Sequence, residues 1–404
     1  MTDDRIAIGI LGLGPAGRAM LPYIGQHPRF RLAAVCDRRS EALAAFDAAD
    51  VATFTDVADM AADPGLHAVF VATPTWLHAE HAIALIRGGK HVIVEKPMAF
   101  SLDEADAMIE TAKAENKSLI VGHSQSFEPA LQVMKAVVDS GRLGRLTAIN
   151  GLNYSDWMFR PRLPQEFDRS KGGGVVFRQA AHHVDVVRYV AGGSPESISA
   201  FVGDWRPDRP GDGSYSALLR FRNGVVATLF YSGYGHFSSS ELTFGINESG
   251  RMEPQSQADS GHRRLDEQPA DRDGAGYAEA SARRTALLTP GTLPATFGLL
   301  IVSCEGGDMR VCPDGVKIYG DQGQALIPIE GLPQGRNAVL DELADVMGGS
   351  LPTHGGEWGK ANLELCLAML ESAGKAGQVI PVSNGNQPRI SVPKVISDHL
   401  VGRI

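Results

Sequence analysis

Ile6-Ala7-Ile8-Gly9-Ile10-Leu11-Gly12-Leu13-Gly14-Pro15-Ala16-Gly17 is the stretch whose reading decides the fold. The apolar run Ile6–Leu11 has the composition of a strand covered on both faces, and a glycine-rich turn comes directly after it. A G-x-G-x-x-G pattern alone carries little weight. Between a buried strand and the helical run Arg18-Ala19-Met20-Leu21 it predicts a dinucleotide-binding βαβ unit. Gly12 permits the tight turn, Gly14 lets a pyrophosphate reach the main chain, and Gly17 lets helix and strand pack closely. Pro15 and Ala16 open the helix, where the missing proline N–H costs nothing and the free N–H groups face the phosphates. Pro22 is expected to kink or end that helix early.

Outward from this stretch, strand and helix alternate. The strand Arg31–Cys36 ends at Asp37, where a carboxylate reaching the ribose belongs. An acid there favours NAD over NADP, while Arg38 and Arg39 offer charge for a 2′-phosphate; the plainer alternative is a capping Asp for the next helix. The strand His67–Ala72 leads into Thr73-Pro74-Thr75-Trp76 and a helix Leu77–Arg87, on which His78 and His81 read as helix-start and packing residues. Gly89-Lys90-His91-Val92-Ile93-Val94-Glu95-Lys96-Pro97 is then a short buried strand halted by proline. Ligands of open α/β sheets sit at the carboxyl ends of strands, so Lys96 arrives at that edge. A half-desolvated lysine suits proton transfer; the plain alternative is a surface pair with Glu95. Ser101 with Glu104 forms a capping box for an amphipathic helix, and Leu119–Gly122 is one more strand. Residues 1–124 are therefore expected to form a doubly wound parallel sheet that binds NAD or NADP.

Beyond residue 124 the rhythm changes to longer, separated strands with few helices, which predicts an α+β domain over 125–385 with a large, mostly antiparallel open sheet. Asn223-Gly224 marks a hairpin, and Glu241–Gly245 and Phe297–Cys304 are among the expected strands. Residues 247–292 read as a polar insertion, Val339–Met347 and Lys360–Ala376 as helices, and 386–404 as a tail.

Three glycines, Gly172–Gly174, lead into a helix on which Arg178, His182, Asp185 and Tyr189 fall at the spacing of one polar stripe. Ala181, Val184, Val187 and Val190 form the opposite, core-facing stripe. A polar stripe is commonly a solvated face. A histidine paired with a carboxylate behind three glycines suggests more: His182 to hold a substrate oxygen, Asp185 to fix its tautomer. Arg160, Arg162 and Arg178, with Gln179 adjacent, gather near this stretch, and arginine forks bind planar carboxylates. Their plain alternative is pairing with Asp156, Glu166 or Asp168.

The totals narrow the classes. A net charge of −9 argues against nucleic acid or an anionic membrane as the main partner. The acidic start Met1-Thr2-Asp3-Asp4 is not a signal peptide, and four scattered cysteines give no zinc framework, so a cytoplasmic, metal-free protein is expected.

Together, Gly12-x-Gly14-x-x-Gly17, Ala72-Thr73-Pro74 with His78, the run into Glu95-Lys96-Pro97, and Gly172–Gly174 succeeded by His182 and Asp185 resemble the Gfo/Idh/MocA oxidoreductases over nearly the whole chain. The resemblance implies hydride transfer with a nicotinamide and places Thr73, Pro74, His78, Glu95 and Lys96 along the cofactor. It also implies that Lys96 transfers the proton, that His182 contacts substrate, and that the open sheet supports a homo-oligomer, a dimer or tetramer. Many members carry an aspartate four residues before the histidine; Arg178 stands there, which turns the expectation away from neutral polyols. Asn153–Arg162, Gly172–Asp185 and Val302–Arg310 resemble the phthalate 4,5-cis-dihydrodiol dehydrogenase branch. The expectation is a dehydrogenase for a carboxylated cis-dihydrodiol, with a sugar or inositol dehydrogenase and a non-catalytic NAD(H) sensor as alternatives.

Overall fold

The first apolar run forms β1 (Ile6–Leu11), at the middle of a six-stranded sheet. The computed structural model describes residues 4–44, 46, 50–123, 125–160, 162–253, 291, 293–333, 335–383, 390, 392 and 394–400. The sheet adds β2 (Phe30–Cys36), β3 (Ala52–Phe54), β4 (Ala68–Val71), β5 (His91–Val94) and β6 (Leu119–Val121) in the order β3-β2-β1-β4-β5-β6, all parallel. Between them run α1 (Pro15–Gln26), α2 (Ser40–Ala44), α3 (Val57–Ala62), α4 (His78–Arg87) and α5 (Leu102–Ala114). β1 and β4–β6 bury nearly every side chain, as parallel strands covered on both faces do. The strand order reverses between β1 and β4, so a crevice opens outside their carboxyl ends. That crevice lies where Gly12, Thr73 and Lys96 come after their strands. Ser101 caps α5 as expected, its hydroxyl accepting the Glu104 N–H at 3.2 Å.

Four expectations are corrected. Helix α1 runs through Pro22 to Gln26. Chain contacts divide the protein into two compact units, and Arg336–Leu363 belongs with Met1–His123 rather than with the second domain. The reason is pairing at long sequence distance: Val121 N–H donates to His354 O at 2.8 Å, and Arg29 reaches Asp341 and Asp345, each at 2.6 Å. Glu241–Gly245 is not a strand; Ser239–Thr243 is a 3₁₀ turn capped by Ser238. Of the expected tail, Lys394–Leu400 is a helix with Ile396 fully buried. Of the polar insertion, residues 254–290 and 292 lie outside the described residues.

The second unit is built on a nine-stranded sheet of β7 (Leu146–Tyr154), β8 (Pro195–Gly203), β9 (Ser214–Phe221), β10 (Val226–Ser232), β11 (Leu299–Cys304), β12 (Gly307–Cys312), β13 (Gly315–Gly320), β14 (Gly323–Pro328) and β15 (Ile380–Pro381). The order is β14-β13-β12-β11-β7-β10-β9-β8-β15, with β7 and β10 parallel and the other pairings antiparallel. α6 (Pro129–Ser140) packs on β13 and α7 (Ala181–Ala191) on β7. On β9 the alternation is complete, with Tyr215, Ala217 and Leu219 buried and Ser216, Leu218 and Arg220 exposed. One face of the sheet therefore carries the core, and the other shows apolar side chains such as Phe201 and Leu218.

Candidate active site

The cofactor half lies in the first unit. Gly12 has φ +96°, and a Cβ there would stand 2.8 Å from the Ala72 carbonyl oxygen. A Cβ on Gly17 would lie 2.0 Å from Gly12 O, so only glycine lets α1 seat on β1. Gly14 differs: a Cβ there would meet nothing of the chain within 4 Å. The space it leaves open faces the start of α1, with Pro15 at the first position, and a dinucleotide pyrophosphate fits it. Gly17→Ala should therefore unfold or strongly destabilise the protein. Gly14→Ala should melt like the wild type yet bind NADH at least roughly tenfold more weakly, the scale of a lost charge-assisted contact. Melting curves and NADH fluorescence titration test the pair, and unchanged NADH binding by Gly14→Ala would remove Gly14 from the phosphate site.

Asp37 comes directly after β2 and is nearly buried. Its Oδ2 accepts the Leu13 N–H at 2.9 Å, and Arg39 grips both oxygens from Nε (2.9 Å) and Nη2 (2.8 Å). Burial alone would raise this carboxyl; the Arg39 fork and the main-chain N–H donors outweigh it and hold the pKa below the usual value. Arg38 is exposed and makes no hydrogen bond or ion pair among the described residues.

His78 is placed differently from the expected cofactor contact. It is 2% exposed, with Nε2 at 2.8 Å from the Thr73 carbonyl and Nδ1 at 2.9 Å from the Pro97 carbonyl. Both nitrogens face acceptors, and both bonds form together only when the ring carries two protons. One helical turn on, His81 Nδ1 lies 3.0 Å from the Thr73 hydroxyl. The two histidines of α4 thus tie the Thr73-Pro74 turn to the Lys96-Pro97 turn, a role their spacing in sequence did not signal. Glu95 is held in turn: its carboxylate accepts the Lys96 N–H at 3.2 Å and lies 3.8 Å from Arg336. Lys96 itself is half-buried at the end of β5.

The other residues singled out in the sequence lie in the second unit. Glycines 172–174 are structural necessities: a Cβ on Gly173 would stand 2.7 Å from Glu166 O, and one on Gly174 2.6 Å from the Asp212 carboxylate. Asp212, fully buried, accepts the Val176 N–H at 3.1 Å and pairs with Arg169. No spacing rule marks it in the sequence. Residues Val176–Ala180 then form a π-turn before α7 begins. The expected polar stripe does not hold, because α7 is buried on nearly every side and of Ala181–Ala191 only His182 keeps exposure. Arg178, Gln179 and His182 are partly exposed, while Asp185 and Tyr189 are buried, Asp185 completely. Asp185 is thereby corrected from a ligand contact to a core charge. Burial pulls the Arg188 pKa down to about 9 and the Asp185 carboxylate works against it.

The three arginines separate as well. Arg162 is 3% exposed, donates to Glu166 Oε1 at 3.0 Å and to Trp157 O at 3.1 Å, and lies 3.6 Å over the Trp157 ring. It is part of the core, not a substrate fork. Arg178 leans on the same Glu166 at 3.7 Å. Arg160 donates Nε to Asp156 at 2.7 Å and keeps much of its side chain in solvent.

An aromatic column links these groups. The His182 ring lies 5.0 Å from Phe297, Phe297 stacks at 6.1 Å on Tyr231, and Tyr231 at 5.6 Å on Tyr215. Tyr231 meets Ser155 Oγ at 2.7 Å, and Tyr215 meets His183 Nδ1 at 2.7 Å. Burial pushes the His183 pKa down to about 3. In the unfolded chain this histidine titrates near 6.5, so between these values the unfolded state binds the extra proton. The contribution is complete above pH 6.5 and is lost as pH falls toward 3. Acidifying from pH 7.5 to 5 should cost about 2 kcal/mol at this group, read as urea unfolding at the two pH values. A His183→Asn variant should show a flatter response.

Among the described residues, no helix is long and apolar enough to cross a membrane, and no group of three or more His, Cys, Asp and Glu is placed to hold a metal ion.

The geometry agrees with comparisons to known proteins. Residues 6–123 match the Gfo/Idh/MocA model described as an oxidoreductase family with an NAD-binding Rossmann fold, and residues 131–247 match the family's C-terminal domain. The 1-carboxy-3-chloro-3,4-dihydroxycyclohexa-1,5-diene dehydrogenase of Comamonas testosteroni is 37% identical over 374 residues, covering 90% of this chain and 94% of that protein. A crystal structure of a protein from Bordetella bronchiseptica RB50, classed as a dehydrogenase, superposes with a TM-score of 0.86 at 33% identity, over 93% of this chain and all of that one. The WlbA dehydrogenase of Bordetella pertussis, solved with NADH and UDP-GlcNAcA, shares the fold at 22% identity with a TM-score of 0.66, over 94% of this chain and 99% of that one. The chain belongs to the Gfo/Idh/MocA oxidoreductases and is an NAD-binding enzyme of that family.

Proposed function

We propose that this protein oxidises a secondary alcohol of a carboxylated cyclohexadiene cis-diol. The observation that carries this reading is the match along nine-tenths of the chain to an enzyme whose name gives a carboxylated dihydroxycyclohexadiene as substrate. Each unit supports it by itself, the first with a lysine at the carboxyl edge of its parallel sheet and the second with Arg160 and His182 partly exposed. NAD, when bound, supplies the hydride acceptor. Lys96, as the neutral amine, takes the hydroxyl proton as the carbon–hydrogen bond breaks. His182 holds the oxygen and so orients the ring. The product is a hydroxy-ketone that tautomerises to a catechol, and aromatisation draws the reaction forward.

The chain also acts as a homo-oligomer in this proposal, a dimer or tetramer joined through the exposed face of the nine-stranded sheet. Phe201 (61% exposed) and Leu218 (45%) support it, together with Phe230, Leu299 and Ile301 beside them. Light scattering on the eluted protein tests it, and a monomer would remove it. Four buried thiols suit the reducing cytoplasm we assign it to.

The decisive experiment offers NAD and, separately, NADP to the purified protein with phthalate cis-dihydrodiol, myo-inositol and glucose. Turnover of the dihydrodiol alone, faster with NAD, is the expected result. Turnover of the polyols alone would assign the enzyme to neutral substrates.

A further inference from the structure

Glu248 sits in the stretch that the sequence presents as a polar insertion, yet the fold brings it beside the column that carries His182. Asn153, at the end of β7 and 2% exposed, donates Nδ2 to Glu248 Oε1 at 2.8 Å. Asn153 is the register partner of Tyr231 on β10, and Tyr231 stacks on Phe297 against His182. The loop after β7 ties Arg160 to the same neighbourhood: Ser155 meets the Tyr231 hydroxyl at 2.7 Å, and Asp156, next to it, accepts Arg160 Nε at 2.7 Å; the Asp156 carboxylate raises the Arg160 pKa most, and Glu248 adds to the effect. No ion pair joins Arg160 to Glu248. Among the described residues, the two terminal nitrogens of Arg160 donate no hydrogen bond and the Oε2 of Glu248 accepts none.

We infer that Arg160 and Glu248 form a two-pole receptor: the guanidinium takes the substrate's carboxylate, and Glu248 takes the O–H of the hydroxyl next to the one being oxidised. The inference rests on the function proposed above and names the groups that read its substrate. Arg162 is buried on Glu166 and Trp157, and Arg178 shares that Glu166, so Arg160 is the fork with its open end available. A planar fork suits a carboxylate. An ionised carboxylate only accepts, so Glu248 accepts from a hydroxyl and repels a second carboxylate, which leaves the ring one orientation. Asn153 holds one oxygen of Glu248 and thereby aims the other.

The test compares the carboxylated cyclohexadiene cis-diol, the same diol without the carboxylate, and a carboxylated ring alcohol with a single hydroxyl. Arg160→Gln should raise KM for the carboxylated diol roughly 10- to 100-fold, the scale of one charged hydrogen-bonded contact, and collapse its preference over the uncarboxylated diol. Arg178→Gln should leave that preference standing. Glu248→Ala should raise KM for both diols about tenfold or more, with Glu248→Gln, still an acceptor, falling between, and should affect the single-hydroxyl alcohol far less. Thermal melts of each variant separate these effects from a loss of fold. A preference erased by Arg178→Gln and kept by Arg160→Gln would overturn the assignment of the fork. An equal KM rise for the single-hydroxyl alcohol would overturn that of Glu248. A wild-type enzyme that ignores the carboxylated diol would overturn both the receptor and the function on which it rests. One that turns the diol over while Arg160→Gln and Glu248→Ala behave normally would overturn the receptor alone.

Discussion

Lys96→Met should lower turnover by roughly 10²- to 10⁴-fold while shifting NADH affinity less than tenfold, the pattern of lost acid–base catalysis. The argument is positional. β5 ends at Val94, and Lys96 stands two residues on, at the carboxyl edge of a parallel sheet, half-buried. The turn that carries it is held on both sides: the His78 ring faces the Pro97 carbonyl, and Glu95 takes the Lys96 N–H and the Arg336 charge. A lysine fixed this way loses little freedom when it meets a substrate hydroxyl. Methionine keeps the length and apolar stem, so the fold should survive and the melt should barely move. Stopped-flow measurement of NADH formation separates the chemical step from binding. Near-normal single-turnover rates would exclude Lys96 as the proton acceptor. A His78→Ala variant should fall between the two enzymes, because it loosens the turn without removing the amine.

Much of the first unit was legible because its requirements are local. Gly17 is needed by the Gly12 carbonyl within the same motif and Gly12 by its own φ of +96°, so the motif that names them is also the geometry that needs them. The strand–helix alternation likewise reports each element from its own residues. The hidden parts depend on pairing across long stretches. Arg336–Leu363 joins the first unit through His354, Asp341 and Asp345, and no local pattern announces partners hundreds of residues away. The helical stripe failed for a different reason: α7 is buried on nearly every side, so Asp185 and Tyr189 lie in the core although their spacing from His182 is that of one face. Nearness in sequence grouped three arginines but could not say which carboxylate each would meet: Arg162 and Arg178 share Glu166, and Arg160 goes to Asp156. Glu248 was invisible as a site residue, since a glutamate in a polar stretch has no distinguishing spacing.

A large loss of stability should come from Glu166→Ala. Glu166 is 4% exposed; Oε1 takes Arg162 at 3.0 Å and lies 3.7 Å from Arg178, and Oε2 accepts the Leu163 N–H at 3.0 Å. Removing the carboxylate leaves the Arg162 guanidinium buried without this counter-charge. Breaking one partner of such a pair costs about 3–5 kcal/mol, far more than the pair contributes over apolar residues of similar size. In a unit of this size that lowers the melting temperature by roughly 10 °C. The Trp157 ring, 3.6 Å from the guanidinium, recovers only part of the loss, because a cation–π contact is worth about 2 kcal/mol when desolvated. The asymmetry supplies its own control. Arg162→Met with Glu166→Leu removes both charges and should regain most of the lost stability, giving a coupling energy of several kcal/mol in a double-mutant cycle. Catalysis should fall and recover in the same order, since the Glu166 main chain holds Gly174 at 2.8 Å and so fixes the start of the turn that presents Arg178 and His182. Additive losses in the cycle would mean that Arg162 and Glu166 stabilise the fold independently and that the buried ion pair is not what holds this loop.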